Sequence, residues 1–197
     1  MIHQPIPTRP IPLGYRRHLA WLIRSMGKYD ILGVEVGVAG GNLSYYLLNR
    51  LPGLRLYMAD PWREVPANDS YRQSGSGMAS RQQDWWEGMF GRACKVAEKF
   101  PGRGLIMRMR SLDLAGLFQG RLQPDFVFLD GDHSEKGINA DLAAWWDVLR
   151  PGGLLAGHDY GRPRFPAVKP AVDAFAHAHG LELRFERKVW SLWKPEG

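Results

Sequence analysis

The chain is predicted to fold as an α/β protein: a mostly parallel, seven-stranded sheet with helices on both faces and a C-terminal antiparallel hairpin. Three observations predict it. Short apolar runs alternate with amphipathic stretches along most of the chain, an order that implies a parallel sheet covered on both sides. The apolar runs stop at polar clusters or glycine-rich turns, as in "FVFLDGDHS" and "VEVGVAGG". The last stretch, "LELRFERKVWSLWK", reads as two strands joined tightly around Arg187-Lys188.

The elements follow in order. Residues 1–13 are proline-rich and read as an extended arm, and residues 14–197 as a single domain. In "YRRHLAWLIRSMG", Leu19, Leu22, Ile23 and Met26 recur at helical spacing and Gly27 is a stop signal. "DILGVEVGV" reads as a buried strand ending near Val36, "GNLSYYLLNRL" as a helix closed by Pro52-Gly53, and "LRLYMAD" as a strand ending at Asp60. Residues 63–80 are polar, contain "SGSG" and show no period, which is long for an ordinary connection. A helix is expected over 81–100, a strand over "GLIMRMRS" ending at Ser111 and Leu112, and a short helix at "LAGLF". "PDFVFLD" reads as a strand, "SEKGINADLAAWWDVL" as a helix, "PGGLLAGHDY" as a turn and strand, and the segment from about Ala167 to Gly180 as a helix.

Composition narrows the function classes. Of 197 residues, 45% are hydrophobic and 23% charged, which suits a globular domain with a real core. The single cysteine, Cys94, excludes an internal disulfide framework and a cysteine-based zinc cluster, and fits a reducing compartment. No apolar run approaches the ~18 residues needed to span a bilayer, and prolines interrupt the N-terminus where a signal peptide would carry its apolar block. A cytoplasmic protein is expected. The formal charge of +6 reads either as attraction to an anionic partner or as a solubility bias, because the arginines are scattered.

In a parallel sheet, ligands bind beyond the carboxyl ends of the strands. The strand ends to be read together are therefore Glu35 to Gly41, Asp60, Ser111, Asp130 to His133, and His158-Asp159. The glycine-rich turn "EVGVAGG" does not satisfy G-x-G-x-x-G, and no Lys-Ser/Thr follows, so neither a dinucleotide fingerprint nor a P-loop is present. Asp60, 23 residues beyond Gly37, offers paired acceptor oxygens suited to the hydroxyls of a ribose. If the fourth and fifth strands are neighbours, Asp130, Asp132, His133, His158 and Asp159 crowd one edge. Carboxylates that close must bind a cation, hold a proton or spread into solvent.

The glycine-rich turn resembles the first motif of class I S-adenosylmethionine-dependent methyltransferases, with Glu35, Gly37 and Gly41 matching and Ala39 in place of the middle glycine. The paired phrases "DGDHS" and "GGLLAGHDY" resemble the metal-dependent small-molecule O-methyltransferases. The resemblance covers about residues 33–160. It implies a Rossmann-like methyltransferase fold and S-adenosylmethionine held by Glu35, Gly37, Ala39, Gly41, Asp60, Ser111, Leu112 and Asp130, with Trp62 either stacked on the adenine or packed in the core. It also implies Mg²⁺ or Mn²⁺ held by Asp130, His158 and Asp159, although His158 stands where the family commonly has an acid.

The expected reaction is O-methylation of a small-molecule or sugar hydroxyl, with Asp132 or His133 taking the proton. Residues 63–80 and the N-terminal arm are expected to cover the acceptor, with Tyr71 and Trp85 in contact with it. Asp141, Trp145 and Trp146 read as face packing. Three other functions remain open: methylation of nucleic acid, binding of S-adenosylmethionine without catalysis, and a nicotinamide-dependent oxidoreductase. Oligomeric state, a homo-oligomer included, is left open.

Overall fold

A computed structural model describes residues 14–74 and 76–197. The expected arm, residues 1–13, lies outside the described residues. The helices are α1 (Tyr15–Arg24), α2 (Asn42–Arg50), α3 (Ser70–Gln73), α4 (Gln83–Glu98), α5 (Ser111–Phe118), α6 (Glu135–Val148) and α7 (Val168–Ala178). The strands are β1 (Ile31–Val36), β2 (Leu54–Ala59), β3 (Gly104–Met107), β4 (Phe126–Leu129), β5 (Leu154–Gly157), β6 (Arg184–Glu186) and β7 (Val189–Trp193). They form one seven-stranded sheet in the order β3-β2-β1-β4-β5-β7-β6, in which β7 runs antiparallel to both neighbours. The expected architecture is observed.

Strand periodicity divides the core. Successive side chains point to opposite faces, so Phe126, Phe128, Leu154 and Ala156 pack with α1, α2 and α4. Val34, Val36, Val127, Leu129 and Leu155 pack with α5, α6 and α7. Burying each large side chain contributes about 2 kcal/mol, which is why the strand runs are apolar almost throughout. The hairpin turns on Arg187 and Lys188, with φ of 53° and 70°. Two consecutive left-handed residues match the twist of a tight hairpin.

Two local expectations need correction. β3 stops at Met107, and Ser111 opens α5, so Ser111 and Leu112 do not end a strand. Residues 63–80, in which no period is read, contain one short helix: Asp69 caps α3 by accepting from Tyr71 N at 2.9 Å.

The order β3-β2-β1-β4-β5 reverses direction between β1 and β4, the place where open α/β sheets form their ligand crevice. Register pairs Val36 with Leu129 and Leu129 with Gly157. Gly37, Asp130 and His158 therefore emerge side by side.

Candidate active site

A cleft of about 660 Å³ opens over these strand ends. Its floor begins with the turn after β1. Gly37 has φ +86°, and a Cβ there would lie 2.1 Å from the main-chain oxygen of Asp130. Only glycine meets both constraints, and the bare main chain of the turn faces the cleft. Ala39 also has a positive φ, 47°. That conformation costs an alanine about 1 kcal/mol. Two bonds offset it: Ala39 N donates to Asp60 Oδ2 at 3.0 Å, and Ala39 O accepts from Trp62 Nε1 at 2.8 Å.

Asp60 lines the cleft and is otherwise buried. Its Oδ1 accepts from Trp62 N at 2.8 Å. Burial raises its pKa, against the lowering effect of the backbone N–H groups of Ala39, Trp62 and Val38. A carboxylate has about four lone-pair sites, so Asp60 keeps acceptor capacity toward the cleft. Glu35 does not line the cleft. It is buried, accepts from Ser44 Oγ at 2.6 Å, and burial pushes it up to about 8 despite that bond. Gly41 likewise shapes the turn, donating to Val38 O at 2.9 Å, without lining the cleft. Trp62 stacking on a ligand is corrected: its ring is fully buried, packs 5.1 Å from Phe90 and is absent from the cleft wall.

At the β4–β5 edge, Asp130, His133 and Asp159 each offer a donor atom, and these atoms lie within 4.8 Å of one another. His133 Nε2 is 3.4 Å from Asp130 Oδ1 and 3.1 Å from Asp159 Oδ2. His158 Nδ1 is 3.0 Å from Asp159 Oδ1 and 4.0 Å from Asp130 Oδ1, so it flanks the trio on the Asp159 side. Arg162 Nη1 is 2.8 Å from Asp159 Oδ1. Phe165 stacks on His133, ring centroids 4.3 Å apart at 22°. Asp159 itself has φ 60°, a strained conformation held by these neighbours. Among the described residues, two buried ring nitrogens of the cluster, His133 Nδ1 and His158 Nε2, have no hydrogen-bond partner.

The electrostatics describe a site that demands positive charge. Burial alone would lower the His133 pKa, but the hydrogen bonds and charges of Asp130 and Asp159 outweigh it and push His133 up to about 9. Burial alone would raise the Asp159 pKa, but His133 and His158 hold it well below the ordinary carboxylate range. Without another cation, a proton on His133 supplies the charge. Two carboxylates and an imidazole whose ligand atoms converge also fit a divalent ion of the Mn²⁺ or Mg²⁺ kind.

Asp132 lines the cleft outside this trio. Its Oδ1 accepts from Ser134 N at 2.8 Å, its carboxyl lies against Gly137, and burial raises its pKa. Ser111 and Leu112 also line the cleft. There Ser111 Oγ accepts from Trp145 Nε1 at 2.8 Å and hydrogen-bonds Asp141. Asp141, expected to be face packing, is buried yet borders the cleft, and burial pushes it up to about 7. The segment between β2 and α4 walls the opening. Ser134 Oγ donates to Ser70 Oγ at 3.3 Å, and Tyr71 lines the cleft. Trp86 lines it where Trp85 was expected. Helical spacing alone could not say which of two adjacent tryptophans turns inward. Phe165 was missed because it sits in an aperiodic loop.

A family model described as a methyltransferase domain matches residues 34–160, the stretch that carries the glycine-rich turn, Asp60 and the whole β4–β5 edge. The chain belongs to this family. It is a class I S-adenosylmethionine-dependent methyltransferase, similar to small-molecule O-methyltransferases. No curated protein matches the methyltransferase in sequence. Among solved structures, it is similar to the O-methyltransferase NovP, with a TM-score of 0.65 at 13% identity over 92% of this chain and 79% of that one. The O-methyltransferase TomG from Streptomyces achromogenes, solved with S-adenosylmethionine, gives 0.55 at 18% identity over 94% and 82%. An O-methyltransferase from Bacillus cereus in complex with SAH gives 0.56 at 16% over 98% and 84%. At such identities these structures share the fold with the methyltransferase. Among its described residues no helix is long and apolar enough to cross a membrane.

Proposed function

We propose that this methyltransferase methylates a hydroxyl oxygen of a small molecule or sugar, and that Asp130, His133 and Asp159 hold a divalent cation, Mg²⁺ or Mn²⁺, for the purpose. The observation that carries the reading is the mutual approach of those three donors in the wall of the switch-point cleft. The O-methyltransferases that share the fold support oxygen as the accepting atom. The bare turn at Gly37–Ala39 and the acceptor oxygens of Asp60 hold the methyl donor, and the segment between β2 and α4 excludes water. A bound cation would orient the hydroxyl and favour its deprotonated form. The sulfonium methyl is already electrophilic, so alignment and removal of one proton are what the chain must supply. Asp132 takes that proton: it borders the cleft, stands apart from the trio, and its raised pKa makes it a better base than an ordinary aspartate.

The test has two arms. Mn²⁺ is titrated into the protein saturated with S-adenosylhomocysteine and followed by calorimetry and electron paramagnetic resonance. Release of S-adenosylhomocysteine is then measured over a panel of hydroxyl acceptors with and without chelator. One site per chain, lost in Asp130→Asn and Asp159→Asn, is expected, as is turnover that chelator abolishes. Full turnover in chelator would remove the cation from the proposal. It would favour a second reading, suggested by the Arg162–Asp159 pair, in which His133 and Arg162 already neutralise the carboxylates. Near-normal turnover in Asp132→Asn would move the base elsewhere.

A further inference from the structure

A separate groove of about 240 Å³ runs between α1 and α2, lined by Arg17, Ala20, Trp21, Arg24, Tyr46 and Arg50. It shares no residue with the wall of the active-site cleft. Helical spacing builds it. Arg17, Trp21 and Arg24 fall at i, i+4 and i+7 on one face of α1, while Leu19, Leu22 and Ile23 bury the other. Tyr46 and Arg50 are one turn apart on α2. Of the six described lining residues, three are arginines and two are aromatic.

The fold explains only part of this charge. Among the described residues none of the three guanidiniums pairs with a carboxylate. Arg24 and Arg50 close the last turns of their helices, where the macrodipole favours cations, and Arg24 Nη2 donates to Arg50 O at 2.5 Å. Arg17 sits in the first turn of α1, which contains no acid and where the same dipole disfavours a cation. Three like charges thus surround one concavity, and Arg17 has neither a carboxylate partner among the described residues nor a favourable dipole. The rings specify more: Trp21, which stacks on His18 with centroids 5.6 Å apart, and Tyr46, with the Arg50 guanidinium 5.8 Å from its centroid, put aromatic surface beside the guanidiniums, the pairing that holds a base and its phosphate. A membrane surface fits less well, because it needs apolar anchors on the exposed face, and the apolar residues of α1 are turned into the core.

We propose that the α1–α2 groove binds a nucleotide unit, with its phosphate on Arg17, Arg24 and Arg50 and its base against Trp21 and Tyr46. The unit comes either from a single strand or from a free nucleotide, and the experiment separates the two. Fluorescence anisotropy of labelled octathymidylate is measured on the full chain against an abasic octamer of equal charge, unlabelled ATP as competitor, and phosphatidylserine vesicles. The octamer is expected to bind more tightly than its abasic counterpart. Neutralising the one phosphate held by the three arginines predicts a roughly threefold loss between 50 and 200 mM salt. Arg17→Glu and Arg50→Glu are each expected to weaken binding at least tenfold, and Arg17→Ala by less. The thermal shift given by S-adenosylhomocysteine should stay unchanged in all three, which establishes that they fold. Strand binding at least tenfold tighter than ATP identifies a strand as the ligand, and equal binding identifies the free nucleotide. Equal affinity for the abasic octamer, indifference to the arginine variants, or binding to vesicles alone overturns the assignment.

Discussion

The Cα of Gly37 faces the main-chain oxygen of Asp130 so closely that a methyl group there would sit 2.1 Å from it. The turn proposed to meet the cofactor is thus packed onto the end of the strand that carries the proposed chemistry. Gly37→Ala must shift the turn or the end of β4, and its φ of +86° adds strain in either case. The variant is expected to lose S-adenosylhomocysteine binding at least tenfold and to melt lower than the wild type. Calorimetric binding and a thermal melt check this. Wild-type affinity in Gly37→Ala would show that the turn is free of Asp130 in solution.

How far the site could be read from the chain follows from what sets each part. Glycine and acid positions at strand ends are local, so Gly37, Asp60, Asp130 and Asp159 stood out by sequence position alone. The partnership of His133 with Asp159 joins residues that are far apart in sequence, and only the β4–β5 register creates it. The end of β3 was misread because "IMRMR" alternates like a strand, whereas Arg110 caps α5. Asp141 looked like packing because its helical spacing is that of a core face; that the same face opens into the cleft is a property of how α6 sits against Ser111.

Trp62 is a brace for the glycine-rich turn. Its Nε1 donates to Ala39 O at 2.8 Å, and its ring is fully buried. Trp62→Phe keeps most of the buried area but leaves that carbonyl without its partner, a loss of about 1 kcal/mol. Stability should fall by that amount in a urea titration, while S-adenosylhomocysteine affinity changes less than threefold. A tenfold loss of affinity with unchanged stability would instead place the ring in contact with cofactor.

Asp125 is a staple remote from the cleft. It precedes β4, accepts from Lys28 Nζ and Arg150 Nε at 2.5 Å each, and accepts from Leu32 N at 2.7 Å. Burial would raise its pKa, but these partners outweigh burial and lower it. Its stabilisation is present above the unfolded pKa and fades as pH falls through the folded one. Asp125→Ala leaves two cations and a strand N–H without their acceptor, a cost of about 3 kcal/mol. Urea midpoints should drop accordingly at pH 7, with the wild-type gap narrowing below pH 4, while the Michaelis constant for S-adenosylmethionine stays unchanged. A midpoint within error of wild type at pH 7 would mean that water replaces the carboxylate at no cost.

Glu35 makes stability fall as pH rises. Its carboxyl is pushed up to about 8 by burial, against an ordinary 4.5. Between those values the folded chain keeps a proton that the unfolded chain has released. The slope of unfolding free energy follows the difference in bound protons, so each unit of pH in that window costs stability. Asp141, pushed up to about 7, and His133, up to about 9, act in the same direction over overlapping windows. The wild type alone cannot separate the three, but the difference between wild type and Glu35→Gln can. The glutamine keeps the hydrogen bond to Ser44 and carries no titrating proton. Urea midpoints of wild type and variant should lie close together at pH 5 and diverge steadily to pH 8, with the variant the more stable. Parallel pH profiles for the two proteins would assign the titration to other groups and leave Glu35 ionised in its buried place.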